Sequence, residues 1–195
     1  ICLLLPLFGA AGYRDIHAAP NPPTVTILCY MNGDNDLSNE VLHALDMMEV
    51  VGSSDRINVV ALVDGDPEWL GTYDAAWSRT RLLRLQADPR IGLITSPVLD
   101  EWGEANMGAP QTLEHFLRTA LAAYPADHVY FYMFAHGQGV LDTRDFGPTQ
   151  SVKTLSISRD DTSGEKMSLD DFHQALKKGL DGRRFEIMVF FSCLA

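Results

Sequence analysis

Basic residues are scarce in this chain. Fifteen Lys and Arg stand against 26 Asp and Glu among 195 residues, a formal net charge of −11. Such a balance repels phosphate backbones and anionic membrane surfaces, so nucleic acid is excluded as an expected partner. Cysteine is scarcer still, with only Cys2, Cys29 and Cys193, too few for a disulfide framework. No apolar run reaches the roughly 20 residues that a membrane-spanning helix needs. Internal repeats, low-complexity tracts and the G-x-S-x-G turn of serine hydrolases are all missing. What remains is a chain with 46% hydrophobic residues, of a length that fits one domain with its own core.

The opening "ICLLLPLFGAAG" reads as the apolar region of a secretory signal whose basic leader is absent, with cleavage after Ala11 or Ala18. Pro6, Gly9 and the polar "YRDIH" argue against a buried helix or strand there. The expectation is an exported protein, periplasmic, secreted or at the cell surface. Residues 1–18 are then a partial signal, 19–23 a linker, and 24–195 the amino-terminal portion of a folded domain. The chain is read as a fragment because it stops two residues after Cys193, directly behind an apolar run. Export leaves Cys29 and Cys193 in the mature chain, and an unpaired thiol in an oxidising space calls for an explanation.

Strand and helix signals alternate. "VTILCYMNG" and "INVVALVDG" are continuous apolar runs of the kind buried on both sheet faces. Between them Leu37, Val41, Leu42, Leu45, Met48 and Val51 follow helical spacing, with Asp34, Asn35, Asp36 and Ser38 as candidate caps and Gly52 as the stop. Residues 66–104 read as a hairpin excursion on an edge. A helix is expected from about Pro110 to Tyr124, with proline in its permissive first turn. The strand "VYFYMFAHG" follows, then polar surface loops or a hairpin from Gln138 to Met167. A helix capped by Ser168 and Asp171 feeds the strand "FEIMVFFSCLA". Four buried strands with helices between them predict an α/β fold around a mostly parallel sheet covered on both faces. Catalytic groups in such sheets gather outside the carboxyl ends of the strands.

Two strands end in reactive side chains, His136 and Cys193. If those strands are parallel neighbours, a nucleophile and its acid/base emerge on one sheet edge, and their separation in sequence is irrelevant. A thiolate attacks, and an imidazole beside it lowers the thiol pKa and later protonates the leaving amine. Gly137, lacking a side chain, lets a substrate carbonyl approach its N–H, so Gly137 and Cys193 amides are candidate oxyanion donors. A buried cysteine and a turn-capping histidine account for the same two residues without chemistry.

The succession "TILCYMNGDNDL", "NVVALVDG", "ANMGAPQTLEHFL", "YPADHVYFYMFAHGQG" and "FFSCLA" resembles the clostripain-like cysteine peptidases, relatives of caspases, legumains and gingipains, from about Thr24 onward. The resemblance implies a caspase-like three-layer α/β/α sandwich. It also implies a Cys–His dyad with Cys193 as nucleophile and His136 as general acid/base, acting on protein or peptide substrates without a required third member. Where the family pattern resembles "DACLM", this chain has Phe191 in place of the Asp that helps form a pocket for a basic side chain, and Ala195 in place of Met. An aromatic ring replaces that carboxylate only in part, through cation–π contact, so Phe191 bears on which residue precedes the cut bond. Family peptidases are often processed between His and Cys, and Arg144, Lys153, Arg159 and Lys166 lie in that stretch.

No cofactor is required by this chemistry. Some clostripain relatives use calcium, and Asp34, Asn35, Asp36, Asp64 and Asp66 offer oxygens, but capping and turns explain those residues and the sequence does not indicate a metal site. His43, His115, His128 and His173 show no metal-ligand spacing and read as helix-face or loop residues. "SGEK" at Ser163–Lys166 matches S-x-x-K without its companion motifs. The alternative reading of a different class is a secreted binding module that keeps the caspase-like fold without catalysis. The sequence leaves the oligomeric state open.

Overall fold

The computed structural model describes residues 24–137 and 156–193. The stretches read as a signal segment and a linker, together with Arg144 and Lys153, lie outside the described residues. In order the elements are β1 (Val25–Gly33), α1 (Ser38–Glu49), β2 (Ile57–Gly65), β3 (Thr80–Arg84), β4 (Val98–Gly103), α2 (Pro110–Ala123), β5 (His128–His136), β6 (Ser156–Arg159), β7 (Lys166–Ser168), α3 (Leu169–Gly179) and β8 (Ile187–Cys193). Six strands form one sheet in the order β4-β3-β2-β1-β5-β8, and β6 with β7 makes a separate hairpin. The strands β2, β1, β5 and β8 run parallel, whereas β3 and β4 are antiparallel at one edge. This is the mostly parallel sheet expected, with the edge hairpin where residues 66–104 predicted it.

The apolar strands are continuous because both faces are covered. Leu28 and Tyr30 of β1 face one core, with Phe116 and Leu117 of α2, Phe131 and Met133 of β5, and Phe172 of α3. Cys29 and Met31, alternating with them, face a second core with Val41, Leu42 and Leu45 of α1. Full burial of each large apolar side chain contributes about 1.5–3 kcal/mol. The result is three layers, with α1 on one face and α2 and α3 on the other.

Helix ends follow local chemistry, with one exception. Pro110 stands in the first turn of α2, and α3 carries a capping box in which Ser168 Oγ accepts from Asp171 N (3.0 Å) while Ser168 N donates to Asp171 Oδ2 (3.2 Å). Gly52 stops α1 with φ of 61°, a conformation that favours glycine. The expected side-chain caps of α1 are not used: its N-cap is Leu37, with no side-chain cap bond. Asn35 Oδ1 accepts from Leu37 N (2.9 Å) in a turn instead, and the other polar residues of this loop are drawn elsewhere.

At the opposite edge, β8 has one strand neighbour among the described residues. Contrary to the burial expected of its apolar run, Ile187 to Phe191 are 44–61% exposed. The helix α3 reaches it through the Phe172–Phe190 ring contact at 5.6 Å.

Candidate active site

Starting from β1, the sheet grows outward to β2 on one side and to β5 and β8 on the other. The order reverses between β1 and β5, and the crevice outside the carboxyl ends at such a point is where α/β sheets bind ligands. His136 is the last residue of β5. Asp36 lies in the loop that follows β1. Asp36 Oδ1 lies 2.7 Å from His136 Nε2, with side-chain exposures of 59% and 23% respectively. One strand further out, His136 is in register with Cys193 of β8. The two residues that the sequence singled out are thus juxtaposed by backbone register at one sheet edge.

Two positions earlier on each strand, Phe134 pairs in register with Phe191. Their rings pack at 5.1 Å between centroids, while Phe191 remains 61% exposed. The predicted pocket residue is therefore anchored on one side and open on the other. Gly137 is buried, and a Cβ there would collide with Ser192 Oγ and lie 3.3 Å from the Ser156 carbonyl oxygen. A side chain at this position would have to turn the Ser192 hydroxyl aside, so glycine keeps the space beside the end of β8 open.

The floor of the crevice comes from the β6–β7 hairpin; the hairpin was one of the two forms expected for this stretch, but its exposure at the surface needs correction. Ser156, Ser158, Asp160 and Met167 are buried. They are buried because β1 ends in polar groups that need partners. Asn32 Nδ2 donates to Ser158 Oγ (2.7 Å) and the Arg159 carbonyl (2.9 Å), and Asn35 Nδ2 donates to the same carbonyl (3.1 Å). Asp34 accepts from Thr162 N (2.9 Å) and Thr162 Oγ1 (3.0 Å). Arg159, one of the candidate processing positions, is tied to Asp161 by an ion pair. Ser163 serves the hairpin turn, its Oγ accepting from Glu165 N (3.1 Å), which gives the S-x-x-K match a structural role.

Carboxylates crowd this edge. Asp34, Glu104 and Asp160 bring oxygens within 4.8 Å of one another. Burial pushes Asp34 up to about 6, and its contact with Asp160 adds to the effect. Burial likewise raises Asp64 to about 8, with the Glu104 charge contributing, while Thr80 Oγ1 donates to it at 2.7 Å. Each carboxylate oxygen of Asp34 and Asp160 accepts a protein hydrogen bond, those of Asp160 from Ser163 N and Met107 N. Among the other expected oxygen donors, Asp36 is engaged by His136 and Asp66 by the backbone N of Glu68.

Cys29 is fully buried in the core, and burial pushes its thiol up to about 12, which makes it inert. Of the remaining histidines, His43, His115 and His173 lie on helices as expected. His128, in contrast, opens β5 and bonds Glu186 through Nδ1. Sequence reasoning missed the Asp36–His136 contact and the buried role of Ser158 and Asp160. The one available signal was that Asp36 follows directly on a strand ending at the same sheet edge.

The fold has counterparts among known proteins. The model of the clostripain family, Peptidase_C11, matches residues 29–195. Clostripain of Hathewaya histolytica is 31% identical over 124 residues, covering 59% of this chain and 24% of its own length. A secreted C11 cysteine protease from Bacteroides thetaiotaomicron, solved with an irreversible peptide inhibitor, shares the fold with a TM-score of 0.60 at 23% identity, over 87% of this chain and 42% of that one. An inactive zymogen C11 protease from Parabacteroides distasonis gives a TM-score of 0.59 at 20% identity, over 90% and 44% respectively. The chain thus spans less than half the length of these relatives. With the family match running from the middle of β1 through β8, the chain belongs to the clostripain family.

Proposed function

We propose that this chain carries the catalytic dyad of an exported cysteine endopeptidase. The supporting observation is the register pairing of His136 with Cys193 on adjacent parallel strands, which brings the two backbone positions side by side at the carboxyl edge of the sheet. In the proposed reaction the Cys193 thiol gives its proton to His136 and attacks the peptide carbonyl carbon. Backbone N–H groups of Gly137 and Cys193 stabilise the oxyanion. His136 then protonates the leaving amine as the C–N bond breaks, and water, deprotonated by the same imidazole, hydrolyses the thioester. No metal or cofactor enters these steps.

Phe191 is proposed to line the pocket for the residue before the cut bond. Its exposed ring suits an apolar side chain, and it accepts Lys or Arg only through the weaker cation–π contact. Export is supported by the description of the Bacteroides relative as secreted. Among the described residues no helix is long and apolar enough to cross a membrane.

The test is a peptide library varied at the residue before the cut, incubated with the full-length gene product and with Cys193→Ala. Cleavage that depends on the thiol and favours apolar residues is expected, and Phe191→Asp should shift the preference toward Lys and Arg. Cleavage that survives Cys193→Ala refutes the dyad. Absence of cleavage by the folded, processed protein favours the binding module.

A further inference from the structure

We infer that Asp36 is the positioning residue of His136, turning the dyad into a relay in which one ring nitrogen is held by the β1 loop and the other serves the thiol. The inference rests on the peptidase reading above. A carboxylate only accepts hydrogen bonds, so the 2.7 Å contact from Asp36 Oδ1 requires His136 Nε2 to carry the proton. In the neutral ring the lone pair then sits on Nδ1. That nitrogen, nearer the backbone, faces the role of taking the Cys193 proton and returning it to the leaving amine. A ring without this anchor divides between two tautomers and rotates about its side-chain bonds, and only a fraction of its population is competent.

The anchor is rigid. Asp34, two residues before Asp36, is pinned by Thr162, and the Asp34 carbonyl accepts from Asp161 N at 2.8 Å. Asn35, directly before it, bonds both the Leu37 N–H and the Arg159 carbonyl. The loop therefore presents the carboxylate at a fixed point of the crevice, where β1 and β5 are neighbours. Because Asp36 is 59% exposed, orientation outweighs charge stabilisation, which water screens.

The experiment compares Asp36→Asn, Asp36→Glu and the distant control Glu186→Gln in the full-length gene product, reading kcat and KM separately. A second readout is the rate at which iodoacetamide alkylates Cys193, followed by mass spectrometry of its peptide. Asp36→Asn is expected to lower kcat ten- to a hundredfold with KM within twofold and to slow alkylation at least fivefold. Asp36→Glu, which keeps the acceptor, should retain at least five times the kcat of Asp36→Asn, and Glu186→Gln should stay within twofold of the wild type. Asp36→Ser replaces Asp36→Asn if the latter fails to fold. A kcat within twofold of the wild type, a loss confined to KM, or Asp36→Glu no better than Asp36→Asn overturns the inference. If the wild-type protein cleaves no peptide, the peptidase reading fails while alkylation still decides: slower in Asp36→Asn upholds the positioning role, and equal rates overturn it.

Discussion

The strand β5 carries a histidine–carboxylate pair at each end. At its amino end His128 bonds Glu186, both side chains well exposed at 36% and 43%. At its carboxyl end His136 meets Asp36, with the imidazole 23% exposed. The local chemistry is alike, an imidazole joined to an acid from a neighbouring segment. The surroundings differ. The carboxyl end opens on the crevice where the strand order reverses, beside the register partner Cys193 and above a floor of buried polar groups. The amino end has no such partner among the described residues, and the polar contacts there, such as Thr24 Oγ1 donating to Asp127 Oδ2 (2.9 Å), are exposed. A histidine–acid pair is therefore no sign of function by itself. Position in the sheet topology separates a surface hydrogen-bonded pair from a candidate catalytic group.

The comparison can be broken most directly at the histidines. His136→Ala is expected to lower kcat/KM by at least about a thousandfold, and His128→Ala by less than about twofold, both measured on the same peptide. Equal losses would dissolve the distinction.

Packing sharpens the contrast at a smaller scale. Asn32→Ala removes the buried donor to Ser158 Oγ and the Arg159 carbonyl and should cost about 1–3 kcal/mol. Gly137→Ala must turn aside the rotatable hydroxyl of the exposed Ser192 and should change the urea unfolding free energy by no more than about 1 kcal/mol. Thr24→Ala at the amino end should change stability by no more than about 0.5 kcal/mol.

The gentlest test is pH. Asp64 and Asp34 hold protons in the fold up to about 8 and about 6, whereas an unfolded aspartate releases its proton near about 4. The folded state therefore binds more protons than the unfolded one across this window. Stability from these groups is complete below about pH 4 and is lost as pH rises through about 6 and then about 8. Urea midpoints should decline between pH 5 and pH 9, and Asp64→Asn should flatten the upper half of that decline. A midpoint from Asp64→Asn that falls as steeply as the wild type above pH 7 would show that burial of Asp64 is not its source.

Much of this architecture was legible in the chain. Continuous apolar runs marked β1, β2 and β5, because strands buried on both faces tolerate few polar residues, whereas the equally apolar run of β8 stands exposed among the described residues. Helical spacing marked α1, and Ser168 with Asp171 marked the start of α3, since orphan N–H groups demand an acceptor nearby in sequence. His136 and Cys193 were legible as strand-end residues. The caps of α1 misled because such side chains bond distant groups as well as local N–H groups: Asp34 and Asp36 took distant partners, while Asn35 Oδ1 closed a turn on Leu37 N. The hairpin residues Ser158 and Asp160 read as surface because their polarity says nothing about which buried amide awaits them.

The sequence by itself determined the elements, their periodicity and the two reactive strand ends, since these follow from interactions within a few residues. Only the tertiary structure decided that β5 lies between β1 and β8. That order sets Asp36 on one side of His136 and Cys193 on the other, because strand pairing joins β5 to segments far away in the chain on both sides, which no local pattern encodes.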